Sequence, residues 1–112
     1  MLKTDKSRLK IKNKKMISDV REKGSYIEVY DANSKRISRM DAGKKELVGV
    51  AGSFFVVVHG SYIEVYDEEC NKISRMDQGD KIVRGAAGDT FTVKHGSYIE
   101  IYDENCKRIS RK

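Results

Sequence analysis

The chain has 112 residues, a formal net charge of +6, 38% hydrophobic and 36% charged residues, six Tyr and three Phe. This length fits one domain over residues 1–112, and the aromatic content argues against a disordered chain. Because no apolar run typical of a signal peptide or a membrane span occurs, we expect a cytoplasmic protein without a membrane partner.

A 36-residue repeat organises the whole chain. The octapeptide Gly-Ser-Tyr-Ile-Glu-Val-Tyr-Asp at 24–31 recurs at 60–67, and recurs with one Val replaced by Ile at 96–103. A period of this size indicates one supersecondary unit repeated along the chain. The chain divides without gaps into repeats 4–39, 40–75 and 76–111.

Each repeat is predicted to form a four-stranded antiparallel meander. In the third repeat, runs rich in β-branched and aromatic residues are separated by Gly and Asp turns, which is typical of strands joined by hairpins. These runs are 81–85, 90–94, 98–102 and 107–111. Because no helical apolar period of useful length appears, the predicted fold class is all-β with pseudo-threefold symmetry.

The first repeat differs from the other two. Its segment 18–22, Ser-Asp-Val-Arg-Glu, stands where the second repeat has Phe-Phe-Val-Val-Val at 54–58. Such a strand is too polar to be buried on either face, and terminal repeats are commonly atypical. We expect either a solvated edge or a surface with another task.

The last hairpin of each repeat can be predicted to its register. A turn centred on Asn33-Ser34, two or four residues long, makes facing positions sum to 67. The predicted pairs are Glu28–Arg39, Val29–Ser38 and Tyr30–Ile37, with Glu64–Arg75 and Glu100–Arg111 in the later repeats. Opposite charges across a ladder stabilise it by about 0.2–1 kcal/mol, so we interpret these pairs as structural.

Alternation along the repeated strand places two Tyr and the intervening Glu on one face. In a propeller both strand faces are buried between blades, and the Tyr would pack with bonded hydroxyls. In a prism one face lies outside, and three Tyr-Glu-Tyr patches could bind a sugar or a peptide. We favour packing and keep the patches as candidate ligand-binding residues. These are Tyr26, Glu28, Tyr30, Tyr62, Glu64, Tyr66, Tyr98, Glu100 and Tyr102.

The positive charge is concentrated near the N-terminus, where residues 3–23 contain nine Lys/Arg. Several of them fall on one face of an extended strand, opposite Leu9 and Ile11, and such a stripe could contact phosphates. No aromatic residue precedes Tyr26, so base stacking is not expected. The candidate phosphate-contacting residues are Arg8, Lys10, Lys12, Lys14 and Lys15, with a simple solvated face as the preferred interpretation.

No catalytic, metal or cofactor signature is present in the sequence. His59 and His95 precede glycines, are predicted to be solvated turn residues, and lack the neighbours of a catalytic triad. Cys70 and Cys106 occupy equivalent points of successive repeats, which should lie too far apart for a disulfide. Two thiols are also too few for a zinc site. We expect no enzyme activity and no cofactor.

A meander that ends in an aromatic strand, Tyr-Asp, a tight turn and a Lys-Ile strand resembles one blade of a β-propeller. Propellers have four to eight blades, so two chains would supply six, which implies a homodimer. In length and in its three units the chain is also similar to the monocot mannose-binding lectins, a β-prism family. With Tyr66 at the end of that family's sugar motif, Gln-x-Asp-x-Asn-x-Val-x-Tyr, the other four positions do not match. No mannose-binding residue carries over.

These observations predict a non-enzymatic binding or assembly module with an unknown protein or glycan ligand. The alternatives are nucleic-acid binding through the Lys-rich first repeat and lectin-like carbohydrate binding.

Overall fold

The computed structural model describes residues 16–112, which form eleven β-strands in three antiparallel sheets. Sheet 1 contains β1 (Asp19–Lys23), β2 (Tyr26–Tyr30) and β3 (Arg36–Asp41). Sheet 2 contains β4 (Lys45–Val50), β5 (Phe54–His59), β6 (Tyr62–Asp67) and β7 (Lys72–Asp77). Sheet 3 contains β8 (Lys81–Ala87), β9 (Thr90–His95), β10 (Tyr98–Asp103) and β11 (Arg108–Arg111).

The predicted all-β class is confirmed. Sheets 2 and 3 are four-stranded meanders in which consecutive strands are neighbours, as predicted for each repeat. Sheet 1 has three strands in the described part of the chain, and the predicted first strand of its repeat falls within residues 1–15, outside that part. The three sheets are compatible with a prism or a propeller-like arrangement. Residues 16–112 contain no helix long and apolar enough to span a membrane.

The predicted charge pairing across the last hairpin is confirmed in register. Glu28 lies opposite Arg39, Glu64 opposite Arg75 and Glu100 opposite Arg111, and Val29 faces Ser38 as predicted.

The predicted pair Tyr30–Ile37 is wrong, because Tyr30 lies opposite Arg36. The turn closes with a hydrogen bond from Asp31 N to Lys35 O, 2.9 Å long, so its loop has three residues rather than two or four. A three-residue loop with one left-handed residue adds a bulge to the hairpin. Ser34 is that residue, with φ of 63°, and Cys70 and Cys106 adopt the same conformation in the later repeats.

Two apolar clusters lie on opposite faces of sheet 2. Phe54, Val56, Ile63 and Val65 pack towards sheet 3, and the alternate residues of the same strands pack towards sheet 1. Sheet 2 is therefore buried on both faces, which explains why β5 is apolar at successive positions.

The prediction that the first strand of sheet 1 is buried on neither face is wrong, because one of its residues, Val20, suffices to pack on sheet 2. Val20 is buried against sheet 2, and the other four residues of β1 are exposed.

Candidate interaction surfaces

In each Tyr-Glu-Tyr strand, the second tyrosine and the glutamate are joined by a hydrogen bond on one face of the sheet. In sheet 2 the Tyr66 hydroxyl donates to Glu64 Oε1 at 2.8 Å, and in sheet 3 the Tyr102 hydroxyl donates to Glu100 Oε1 at 2.8 Å. Both carboxylates are buried, with Glu64 2% exposed and Glu100 0% exposed. The packing interpretation of these Tyr, with bonded hydroxyls, therefore describes sheets 2 and 3.

Each carboxylate is also contacted by a histidine and by Lys or Arg side chains of the same repeat. Glu64 Oε1 lies 3.3 Å from His59 Nδ1, and its Oε2 lies 3.3 Å from Lys72 Nζ. Glu100 has His95 in the equivalent position, and its Oε2 accepts hydrogen bonds from Arg108 and Arg111. The Arg111 bonds are the shorter ones, at 2.8 and 2.9 Å. A buried carboxylate requires such partners, because an unpaired buried charge is costly.

These contacts fix the protonation states. Burial alone would raise the pKa of Glu100, but hydrogen bonds from Tyr102, Arg111 and His95 outweigh it and lower the pKa to about 2. The pKa of Glu64 is also lowered by its hydrogen bonds, against the effect of burial. Burial and the bond to Glu100 raise the pKa of Tyr102 to about 12. The carboxylates are thus fixed acceptors and the tyrosine a fixed donor near neutral pH.

The other Tyr of each strand is covered by an arginine of its own sheet. The guanidinium carbon of Arg75 lies 4.2 Å from the centre of the Tyr62 ring, which is the geometry of a cation–π contact. Arg39 covers Tyr26 at 4.2 Å and Arg111 covers Tyr98 at 4.3 Å. Tyr98 nonetheless stays 46% exposed.

In sheet 1 the Tyr-Glu network lies on the outer face of the sheet. Tyr30 donates to Glu28, whose other oxygen lies 3.2 Å from Arg36. Arg21 lies over the Tyr30 ring at 4.5 Å, where sheet 2 instead stacks Phe55 on Tyr66. The hydrogen bond from Tyr30 and neighbouring cations lower the pKa of Glu28.

Sheet 1 packs on sheet 2 through the same kind of interface through which sheet 2 packs on sheet 3. We call the side with Ile63 and Val65 the aliphatic face, the side with Glu64 and Tyr66 the tyrosine face, and use both names for the equivalent sides of sheets 1 and 3. The aliphatic face of sheet 1 packs on the tyrosine face of sheet 2, and the aliphatic face of sheet 2 packs on the tyrosine face of sheet 3. The residues of the two interfaces are 36 apart: Val20, Ile27, Val29, Phe55, Val57 and Tyr66 in the first, and Val56, Ile63, Val65, Phe91, Val93 and Tyr102 in the second.

A serine hydrogen bond repeats with the interface. Ser38 Oγ donates to the Glu68 carbonyl oxygen at 2.7 Å and lies 3.3 Å from Cys70 Sγ, so it joins β3 to the last turn of sheet 2. The equivalent contacts between sheets 2 and 3 are Ser74 Oγ to Glu104 O, 2.7 Å, and to Cys106 Sγ, 3.2 Å. Burial raises the pKa of both cysteines, and both are free thiols, as expected.

A glycine lies in the contact between sheets 2 and 3. A Cβ placed on Gly49 of β4 would lie 3.2 Å from Ala86 Cβ and 3.3 Å from the Ala86 nitrogen. The absence of a side chain therefore lets β4 and β8 meet. Gly85 holds the equivalent position in sheet 3, and a Cβ there would have no heavy atom within 4 Å. Beside it lies a cavity of about 440 Å³, lined in part by Thr92 and Ile99.

Two faces are left at the ends of this arrangement. They are the tyrosine face of sheet 1 and the aliphatic face of sheet 3, which we call the end faces. Neither contributes a residue to the two apolar clusters formed by the described part of the chain. At the sheet 3 end, Ile82 is 58% exposed and Ile109 is 57% exposed.

The nine predicted ligand-binding residues thus fall into two environments. Glu64, Tyr66, Glu100 and Tyr102, together with the partly exposed Tyr62 and Tyr98, lie on the two tyrosine faces that meet another sheet. Tyr26, Glu28 and Tyr30 lie on an end face, where Glu28 is 6% exposed. Ligand binding by these residues stays a prediction. The candidate phosphate contacts Arg8, Lys10, Lys12, Lys14 and Lys15 lie outside the described residues, so nucleic-acid binding also stays a prediction. Within residues 16–112, no group of three or more His, Cys, Asp or Glu could hold a metal ion.

Sequence reasoning missed the part that the histidines play. His59 and His95 have half-exposed side chains, as expected, but each is the last residue of a strand rather than a turn residue, and each contacts a buried carboxylate. The signal was present in the register, because His59 faces Tyr62 across a hairpin and Glu64 is two residues further along the same face. The serines of the Ile-Ser-Arg segments were likewise not recognised as links between repeats.

No protein-family model matches the chain, and a search of curated proteins found no match.

Proposed function

We propose that the chain is a non-enzymatic assembly module whose end faces bind further sheets of the same type. The repetition of one interface carries this proposal. The same two faces meet twice within the chain, with contacts 36 residues apart, and among residues 16–112 one face of each kind remains at the ends. A surface that completes a well-packed interface elsewhere in the same molecule is suited to do so again.

The arrangement of the clusters favours a row of propeller blades over a closed prism. In a prism three sheets surround a shared core, and each sheet keeps one outer face. Sheet 2 instead has fully buried residues on both faces, such as Phe54 on one and Phe55 on the other. Blades packed face to face have this property.

The Tyr-Glu networks support a structural rather than a catalytic use of these residues. Each buried carboxylate is held by a tyrosine, a histidine and Lys or Arg side chains of its own repeat, and its pKa is lowered. A general acid or base needs a pKa near the working pH, and an acceptor that stays ionised does not meet that need.

Light scattering over a range of concentrations tests the proposal. The wild-type chain should show a mass above that of one 12.8 kDa chain, falling upon dilution. Ile101→Lys places a charge at the position that Val65, 0% exposed, occupies in the interface between sheets 2 and 3. This variant should stay monomeric at every concentration.

Ser97→Lys is the matched control, because it adds the same charge in an exposed turn. It should associate like the wild type. A wild-type chain that is monomeric throughout, or an Ile101→Lys variant that associates normally, would contradict the proposal.

A further inference from the structure

We propose that the partner is a second copy of this chain, and that two copies close a ring of six sheets. The ring would have two identical seams, each between the aliphatic face of sheet 3 and the tyrosine face of sheet 1 of the other copy. This inference rests on the proposed assembly function and names its partner and its geometry.

The chain itself supplies the complement that each end face lacks. Inside the molecule, an aliphatic face always packs on a tyrosine face that is built around a Tyr-Glu pair. At one end, Ile99 and Ile101 repeat the positions of Ile63 and Val65. At the other end, Glu28 and Tyr30 repeat the positions of Glu100 and Tyr102, which belong to the tyrosine face in that interface. A second copy therefore offers the complementary surface to both ends at once.

The number of copies follows from the topology. Sheets 1 and 3 lie on opposite sides of sheet 2, so one chain cannot join its own ends. An interface between two unlike faces gives a closed ring when the rotation closes, and an open filament when it does not. Propellers have about four to eight blades. Among multiples of three sheets, only six falls within that range, and six sheets are two chains.

A specific contact is expected at each seam. Ser110 is equivalent to Ser38 and Ser74, which form the hydrogen bonds between sheets inside the chain. At the seam its Oγ is expected to contact the carbonyl oxygen of Ala32 and the side chain of Ser34 in the other copy. Ser34 has φ of 63°, the conformation that Cys70 and Cys106 adopt in the two existing links, at 64° and 61°. Ser110, Ala32 and Ser34 are all exposed in the single chain.

The seam is more polar than the internal interfaces. Thr92 stands where sheet 2 has the fully buried Val56, and Arg21 stands where it has Val57. Asp19 likewise stands where sheet 2 has the fully buried Phe55, and Thr90 where it has the fully buried Phe54. These changes all fall on the second strand of the repeat and affect both sides of the seam. The two copies are therefore expected to separate upon dilution before either of them unfolds.

Disulfide trapping tests this geometry. Cys70→Ser and Cys106→Ser remove the native thiols and install the residue that the first repeat already has at that position. Ser34→Cys and Ser110→Cys are then added to the same chain. Oxidised glutathione serves as the oxidant, so that each pair of thiols loses two electrons and two glutathione molecules are released. A disulfide needs Cα atoms within about 7 Å.

The expected product is a covalent dimer with two disulfides and twice the 12.8 kDa chain mass. The positive control is Ser38→Cys in a Cys106→Ser chain, where Cys70 Sγ lies 3.3 Å from the native Ser38 Oγ. It should form an internal disulfide and stay monomeric.

Three results would overturn the inference, and they separate it from the proposed function. A ladder of covalent oligomers means that the end faces assemble but the ring does not close. A monomer with an internal 34–110 disulfide means that sheets 1 and 3 of one chain meet, so that no end face remains. Unreacted thiols at 34 and 110, with the control fully oxidised, mean that the seam does not form.

Discussion

The hydroxyl of Ser74 lies 2.7 Å from the carbonyl oxygen of Glu104, which belongs to the following sheet. Ser38 makes the same contact with Glu68, also at 2.7 Å. The two sheet interfaces have equivalent apolar residues and an equivalent hydrogen bond. The sheets are therefore packed in the same way at both interfaces.

Ser74→Ala should therefore destabilise the fold by about 1 kcal/mol, because the partly buried carbonyl oxygen of Glu104 loses its donor. Urea unfolding of the monomeric chain measures this. Ser110→Ala is the matched change on an end face, and it should leave the unfolding of the dilute chain unaltered while weakening association. Equal losses of stability in the two variants would contradict this account, in which Ser74 bonds within the chain and Ser110 bonds only after association.

Gly49→Ala should destabilise the chain by about 1–3 kcal/mol, since the new methyl group is pressed against Ala86 of the next sheet. Combining it with Ala86→Gly should recover part of the loss, because the nearest atom, the Ala86 Cβ at 3.2 Å, is removed. A double-mutant cycle by chemical denaturation gives the coupling. Additive losses would show that the two residues do not meet.

Much of the fold could be predicted from the repeat alone. Strand positions follow from alternating patterns, and the facing of Glu64 with Arg75 follows from the hairpin turn. The bulge could not be foreseen, because it depends on Ser34 in a left-handed conformation that glycine would usually signal. The order of the sheets was also not predicted, although the unalternating run 54–58 is what a strand buried on both faces requires.

The sequence predicted which residues lie together in the candidate site, but not which of them form hydrogen bonds and ion pairs with each other. The Glu and Arg residues that face each other need not form the ion pair, because side chains reach diagonally across the ladder. Glu64 is held by Lys72 and His59, and Arg75 lies over Tyr62 instead. In sheet 3, by contrast, Arg111 lies 2.8 Å from the Glu100 carboxylate.

This difference predicts unequal costs for two equivalent arginines. Arg111→Ala removes a cation–π contact with Tyr98 and, in addition, two hydrogen bonds to a buried carboxylate. It should cost about 1–2 kcal/mol of stability, reduced because the guanidinium is partly exposed. Arg75→Ala removes a cation–π contact and should cost less than about 1 kcal/mol. Denaturation midpoints of the two variants, compared under one condition, check the order. A larger loss for Arg75→Ala would contradict the assigned pairing.

Glu100 should also give the fold an acid-sensitive step. Its pKa is lowered from 4.5 to about 2 in the folded chain, so its contribution to stability is complete above pH 4.5. That contribution is lost as the pH falls towards 2. Unfolding measured at pH 7 and pH 3 should show a smaller pH-dependent loss for Glu100→Gln than for the wild type. Asp80→Asn, the same change in an exposed turn, is the control. Identical pH dependence in wild type and Glu100→Gln would contradict this account.

Native mass spectrometry of the unaltered chain tests the central claim most directly, because it counts the chains in each complex. Two closed seams predict one associated species of two chains, each of 12.8 kDa, together with free monomer at low concentration. A series of complexes with three, four and more chains would contradict ring closure, and a monomer at every concentration would contradict assembly through the end faces.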